Sequence, residues 1–440
     1  MNKNIDTLVY QAVFGSDQEK QQARFEIWQM GIEAGVIPSS IHEFYSARGK
    51  KQLPNNFSVP AMNLRGMTYD TARSAFATAV KLKVGAMIFE IARSEMAYTH
   101  QSPQEYVTVL TAAAIKEGWS GPLFVQGDHF QAKAANPGEP KNGEIDTIKK
   151  LIEEALKAGF YNIDIDMSTL VALDKPTEAE QQIPNYTYSL ELAKYIRKLQ
   201  PKELNVSLGG EIGHIGGKNS NEADFTAYME GFNQGLPTGM IGMSKISIQT
   251  GTHHGGVVLA DGKLADINVD FSILKTITEI GQEKYQIGGS VQHGASTLPD
   301  KYFNQFPQAK TLEVHLATGF QNLVMNDPAF PQELLQEMYD YLDAKHLDEK
   351  KETETPEQFH YKLRKKAWGP FKQKCWDMPV ENRTKLRATM MDRFEFFFKE
   401  LNVINSQEMV NKFVKPVVVN KTLPDFALQT ATKDVKGLSD

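Results

Sequence analysis

What most constrains this chain is a repeated alternation along it. Eight short apolar runs, at 57–64, 86–92, 122–127, 162–167, 205–209, 245–250, 285–291 and 311–317, read as strands. Between them apolar residues recur at helical spacing, at 69–82, 103–117, 144–158, 186–199, 223–236 and 271–283, with a short piece at 301–306. Helical crossovers impose parallel pairing, and eight such units are the number that closes a (β/α)8 barrel. The expected fold class is therefore α/β, a (β/α)8 TIM barrel with helical N-terminal and C-terminal extensions. Residues 1–53 read as the helical N-terminal extension, 54–330 as the barrel and catalytic domain, and 331–440 as a helical C-terminal extension and tail.

Bulk properties narrow the partners. The formal net charge of the 440 residues is −6, with acids and bases interspersed, so nucleic acid is not an expected partner. A small anionic substrate would need local basic groups. Cys375 is the one cysteine, which excludes an intramolecular disulfide and is expected to be an inert thiol. The start lacks a basic flank followed by an apolar segment, and no apolar stretch approaches the roughly 20 residues that cross a bilayer. A soluble, cytoplasmic protein with no membrane partner is expected. Phe394, Phe396, Phe397, Phe398, Met390 and Met391 read as helix-packing residues.

Barrels of this kind carry their chemistry at the C-terminal ends of the strands. Asp128, His129, Asp166, Ser168, Glu211, the pair His253-His254, His293 and Ser296 fall there. Neutral imidazole nitrogens bind zinc and similar ions, and three such ligands with one open position make a catalytic metal arrangement. Asp128 and His129 are adjacent, so on a regular strand their side chains would leave in different directions, one toward metal and one toward substrate. A carboxylate beside a metal can take the proton of a substrate hydroxyl as a carbon–carbon bond breaks. Gly209-Gly210 before Glu211 would let backbone approach a ligand closely.

The ordered set Asp128-His129, Asp166-Met-Ser168, Glu211-Ile-Gly-His-Ile-Gly-Gly217, His254-Gly255, His293-Gly-Ala-Ser296 and Leu316-Ala-Thr318 resembles the class II, metal-dependent fructose-bisphosphate aldolases over about residues 57–325. That resemblance implies a lyase performing reversible aldol cleavage of a ketose phosphate, of the fructose 1,6-bisphosphate or tagatose 1,6-bisphosphate type. His129, His254 and His293 would hold the divalent ion, zinc or else cobalt, iron or manganese. Asp166 and Glu211 would serve a second metal position. Asp128 would be the acid/base group. Gly255, Gly294, Ser296 and Thr318 would bind the phosphate next to the ketone, and Asn63 and Ser168 would contact substrate. A homodimer or homotetramer is implied.

Departures from the family pattern accompany the match. Lys218-Asn219 stands where an acidic pair is usual, so Glu222 or Asp224 would have to act as proton carrier, and the second metal position is put in doubt. Ala92, His315, Ala317 and Val258 replace polar family residues, and Lys263 or His315 would compensate. Arg383 would reach a second phosphate. The insertion 136–141 reads as a surface loop or as a cover for the site. Two rival readings follow: a keto-sugar or sugar-acid epimerase on the same barrel, and a non-catalytic scaffold subunit.

Overall fold

The computed structural model describes residues 4–213, 218–251 and 269–428. Eight parallel strands close into a barrel: β1 (Val59–Asn63), β2 (Ile88–Ala92), β3 (Gly121–Gln131), β4 (Asn162–Asp166), β5 (Ser207–Glu211), β6 (Lys245–Ile248), β7 (Ser290–Gln292) and β8 (Glu313–Leu316). Each pairs with its sequence neighbours, and β8 returns to β1 through Glu313 opposite Val59, which removes the sheet edges. The crossover helices include Thr68–Leu82, Pro103–Lys116, Glu144–Ala158, Ile183–Leu199, Glu222–Gln234 and Phe271–Ile280. Pro103 at the first turn and Ser102 accepting from Glu105 N start one of them, because the first N–H groups of a helix need outside partners.

The N-terminal segment, expected to be helical, holds three helices and also a strand. Val36–Ser39 pairs in parallel with Gly121, Pro122, Leu123 and Phe124 at the start of β3. Asn162 of β4 fixes the exit, accepting from Ile41 N at 2.9 Å and donating to Ser39 O at 3.1 Å. On the other side, the long helix Val380–Glu400 packs on Thr68–Leu82. It buries Leu386, Met390, Phe394, Phe397 and Phe398, each contributing roughly 1.5–3 kcal/mol of transfer free energy. The extension thus braces the first crossover helix of the barrel.

The interior of the barrel departs from the usual filling of branched apolar residues. Glu90, Gln126, Asp164, Lys245 and Glu313 point inward and are all buried. Lys245 Nζ lies 2.9 Å from Asp164 Oδ1 and 2.8 Å from Gln126 Oε1, and it also pairs with Glu313. Gln126 donates to Glu90 and Glu313, at 2.7 and 2.9 Å, and the Tyr45 hydroxyl from the N-terminal segment donates to Glu313. This layer also explains Gly209. A Cβ there would sit 2.2 Å from Asp164 Oδ1 and 2.8 Å from Lys245 Cε, so the glycine makes room for the ion pair rather than for a ligand.

Candidate active site and metal centre

The site begins with a defect in strand pairing. Gly127 pairs with Ile163, and the next pair is Phe130 with Ile165, so three steps on β3 match two on β4. The extra residue makes a bulge at Asp128-His129, and His129 takes φ 40, a left-handed value that non-glycine residues rarely adopt. Strand alternation would send the two side chains to opposite faces. The bulge instead turns both into the barrel mouth, where they diverge, Asp128 toward Asn63 on β1 and His129 toward Asp166 on β4. Such strain persists where surrounding structure fixes it, typically at functional sites.

Around the bulge three imidazoles line up. The His129 and His293 ring centroids are 4.3 Å apart, and those of His293 and His315 are 4.0 Å apart. His129 Nδ1 is 2.8 Å from Asp166 Oδ2 and 3.2 Å from Glu211 Oε2, while Nε2 is 3.8 Å from Asp128 Oδ1. His293 Nε2 is 3.0 Å from Ser247 Oγ, and its Nδ1 is 4.0 Å from Asp128 Oδ1. Asp128 itself is held by Asn63, whose Nδ2 donates to Oδ2 at 2.8 Å and also to Glu95 at 2.8 Å.

Electrostatics follow from these contacts. Burial pushes the Asp128 carboxyl up, but the His129, His315 and His293 imidazoles outweigh it and hold it well below the usual range. Burial pushes the His129 imidazole down, and Asp128, Glu211 and Asp166 outweigh that, raising it well above its ordinary value. Glu211 is pushed up to about 8 by burial and by Asp166, against the pull of His129. The carboxylates therefore call for positive charge in the mouth.

The residues present fit a divalent ion. His129, Glu211 and His293 can each place a ligand atom within 4.8 Å of the others, and all three are buried. Asp166 sits behind the first imidazole: its Oδ1 accepts from Ser168 N at 3.0 Å and Ser168 Oγ at 2.6 Å, and its Oδ2 accepts from Gln131 at 2.6 Å besides facing His129. A carboxylate on the back nitrogen fixes ring orientation and raises ligand basicity. Both Asp166 oxygens thus face protein donors, and the carboxylate backs the His129 ring.

Two cavities flank the cluster. A small one, about 20 Å³, is lined by Asn63, Arg65, Asp128, His293, Gly294, Ser296, His315 and Thr318 among others. Gly294 has φ 67, the left-handed region that glycine enters without strain, and it leads into the turn Ala295–Thr297. Ser296 Oγ accepts from Gly319 N at 3.0 Å, and Arg65 donates to Thr318 Oγ1 at 2.9 Å. A larger cavity, about 570 Å³, is lined by Ser168, Thr169, Gln182, Ile212, Lys133, Lys141, Lys218 and Asp224 among others. The insertion forms a two-stranded hairpin, Ala134–Asn136 with Glu139–Pro140, whose flanking Lys133 and Lys141 wall this cavity.

The structure thus brings together Asn63, Asp128, His129, Asp166, Glu211 and His293, with Gly294, Ser296 and Thr318 alongside and Ser168 between cluster and larger cavity. Glu222 is exposed at the first turn of its helix, and Asp224 rather than Glu222 lines the larger cavity. Arg383 turns to Asp70 at 3.4 Å and to Met378 O at 3.1 Å, away from any phosphate role. His254, Gly255, Val258 and Lys263 lie outside the described residues. Sequence reasoning did not find Glu90, Glu95, Arg65 or Gln131. The available signal was a charged or amide side chain inside an otherwise apolar strand, which in a barrel marks the lumen.

A family model described as fructose-bisphosphate aldolase class II matches residues 50–375. The chain belongs to that family, whose members are carbon–carbon lyases generally dependent on a divalent metal. Among solved structures, a probable tagatose 6 phosphate kinase from Sinorhizobium meliloti 1021 is similar at 13% identity and TM-score 0.52, covering 84% of this chain and 96% of that one. The YdjI aldolase from Escherichia coli K12 is similar at 12% identity and TM-score 0.50, covering 83% and 98%. At such identities these likenesses show the fold. No curated protein matches the chain. No helix among the described residues is long and apolar enough to cross a membrane.

Proposed function

We propose that this protein catalyses reversible aldol cleavage of a ketose phosphate, fructose 1,6-bisphosphate or tagatose 1,6-bisphosphate, to triose phosphates, with zinc as the bound ion. The observation that carries the reading is Asp128: Asn63 holds one of its oxygens while the other faces three imidazoles at the barrel mouth. His129 and His293 would hold the ion, with Glu211 within reach and His254 as the third imidazole; bound there, a divalent cation supplies Lewis-acid polarisation of a carbonyl.

Asp128 is the base at the hydroxyl of the bond that breaks. Its depressed proton affinity keeps it ionised, and the Asn63 amide, donating both to it and to Glu95, fixes its orientation. Gly294, Ser296 and Thr318 offer backbone and hydroxyl groups to a phosphate, with Arg65, ion-paired to Glu95, donating to Thr318 from behind. The larger cavity admits the rest of the sugar chain and shields it beneath the hairpin. Asp224, on its wall, replaces Glu222 as the proton carrier that geometry favours.

The test is direct. Purified protein is incubated with each ketose bisphosphate, and triose phosphate is followed with and without chelator. Cleavage that chelator abolishes and added metal restores supports the reading. Cleavage insensitive to chelation, or a His129→Ala variant with full metal content and normal turnover, refutes it.

A further inference from the structure

Beyond the cluster just described, a second convergence lies in the lumen. His315 Nδ1 is 3.1 Å from Glu90 Oε1 and 3.3 Å from Asp128 Oδ1. All three atoms are buried and without a hydrogen-bond partner among the described residues. Glu90, Asp128, Asp164 and His315 can together place ligand atoms within 4.8 Å of one another. Glu90 and Asp164 each stand two residues before their strand ends, Ala92 and Asp166, so this group reaches one side-chain layer further into the barrel.

The imidazole is oriented from behind. His315 Nε2 is 2.7 Å from Glu313 Oε1, the carboxylate-on-histidine arrangement that places N–H on the rear nitrogen. The front nitrogen then faces two carboxylate oxygens, an arrangement that an imidazolium N–H satisfies and that a cation seated among the three atoms satisfies equally. Ligands bound at about 2.0–2.2 Å stand about 3.0–3.5 Å from each other, and the two observed separations fall there. Charge points the same way. Six carboxylates, Glu90, Asp128, Asp164, Asp166, Glu211 and Glu313, are at most 5% exposed, and Lys245 is the ammonium that pairs with them. These carboxylates outnumber that fixed ammonium, an imbalance that a dication beside Glu90 and Asp128 would reduce.

We propose that the chain binds a second divalent cation through Glu90, Asp128 and His315, with Asp164 in reach as a fourth ligand. Asp128 gives this ion Oδ1, the same oxygen proposed to act as base, and keeps Oδ2 on Asn63, so the ion and a substrate hydroxyl share that oxygen. The site stands apart from the Asp166 and Glu211 position that the family resemblance implies, and it does not depend on the cleavage reaction.

The experiment strips the full chain with chelator, titrates it with Co²⁺ and counts bound metal by atomic emission after gel filtration. Two equivalents are expected in the wild type, one in Glu90→Gln and in His315→Gln, and one in His129→Ala, with circular dichroism confirming the fold. A single equivalent in the wild type at saturating Co²⁺ overturns the proposal, and so do two equivalents retained by both Glu90→Gln and His315→Gln. A wild-type count of one overturns the proposal even if a variant fails to fold, while a count of two is assigned to this site only by the loss in Glu90→Gln or His315→Gln. Two equivalents in a protein that cleaves no ketose phosphate would uphold this site while defeating the proposed reaction.

Discussion

The lumen holds two buried charged regions that are neutralised in different ways. Deeper in, Lys245 is fixed among Asp164, Glu313 and Gln126, so the chain supplies its own cation. At the mouth, Asp128, Asp166 and Glu211 face imidazoles, whose ring nitrogens can carry a proton or take a metal in its place. An ammonium held on both sides builds structure; a row of imidazoles builds a site that can be filled. Burial alone does not separate the two, since both are almost fully enclosed.

Substitutions can break or sharpen that contrast. The largest effect is expected at Asp128→Asn: cleavage should fall by about 10²–10⁴-fold while bound metal at His129 and His293 persists, read from turnover and metal content on the same sample. Parallel loss of metal and activity would mean that Asp128 acts chiefly by holding charge. Lys245→Met should show its effect in stability instead, because Asp164 and Glu313 are left buried without a cation. A loss of about 3–5 kcal/mol in urea unfolding is expected, and a loss below about 1 kcal/mol would erase the distinction between the two regions.

Smaller effects probe the supports. Asp166→Asn should weaken metal binding by about 10–100-fold with little change in the unfolding midpoint, measured by competition with a chromophoric chelator. Gly294→Ala, forced into φ 67, should cost about 1–2 kcal/mol of stability and raise KM more than it lowers kcat, if the turn serves phosphate binding. Least of all, Cys375 should not label with iodoacetamide at pH 8 in the folded protein, since burial pushes its thiol up to about 12; rapid labelling would show that the C-terminal extension opens.

The barrel was legible because Val, Ile and Phe runs alternate with helical spacing, and each of the eight strands overlaps one of those runs, although Ser290–Gln292 begins only at the end of 285–291. Val36–Ser39 was not, since four residues containing Pro38 carry little strand signal, and proline is tolerated in a strand at a sheet edge, where this one lies. The Asp128-His129 bulge was invisible for another reason: it exists only in the pairing of β3 with β4, which no single run reports. His315 was noticed as a departure, but its place beside His293 depends on closure of β8 onto its neighbours. Glu90 and Lys245 needed the period-two alternation of barrel strands to be read as lumen positions.

The most direct measurement is anomalous diffraction from crystals grown with zinc. A peak about 2.0–2.1 Å from nitrogens of both His129 and His293, beside Asp128, is the expected result. Well-ordered rings of His129 and His293 with no scatterer between them would contradict the account at its centre.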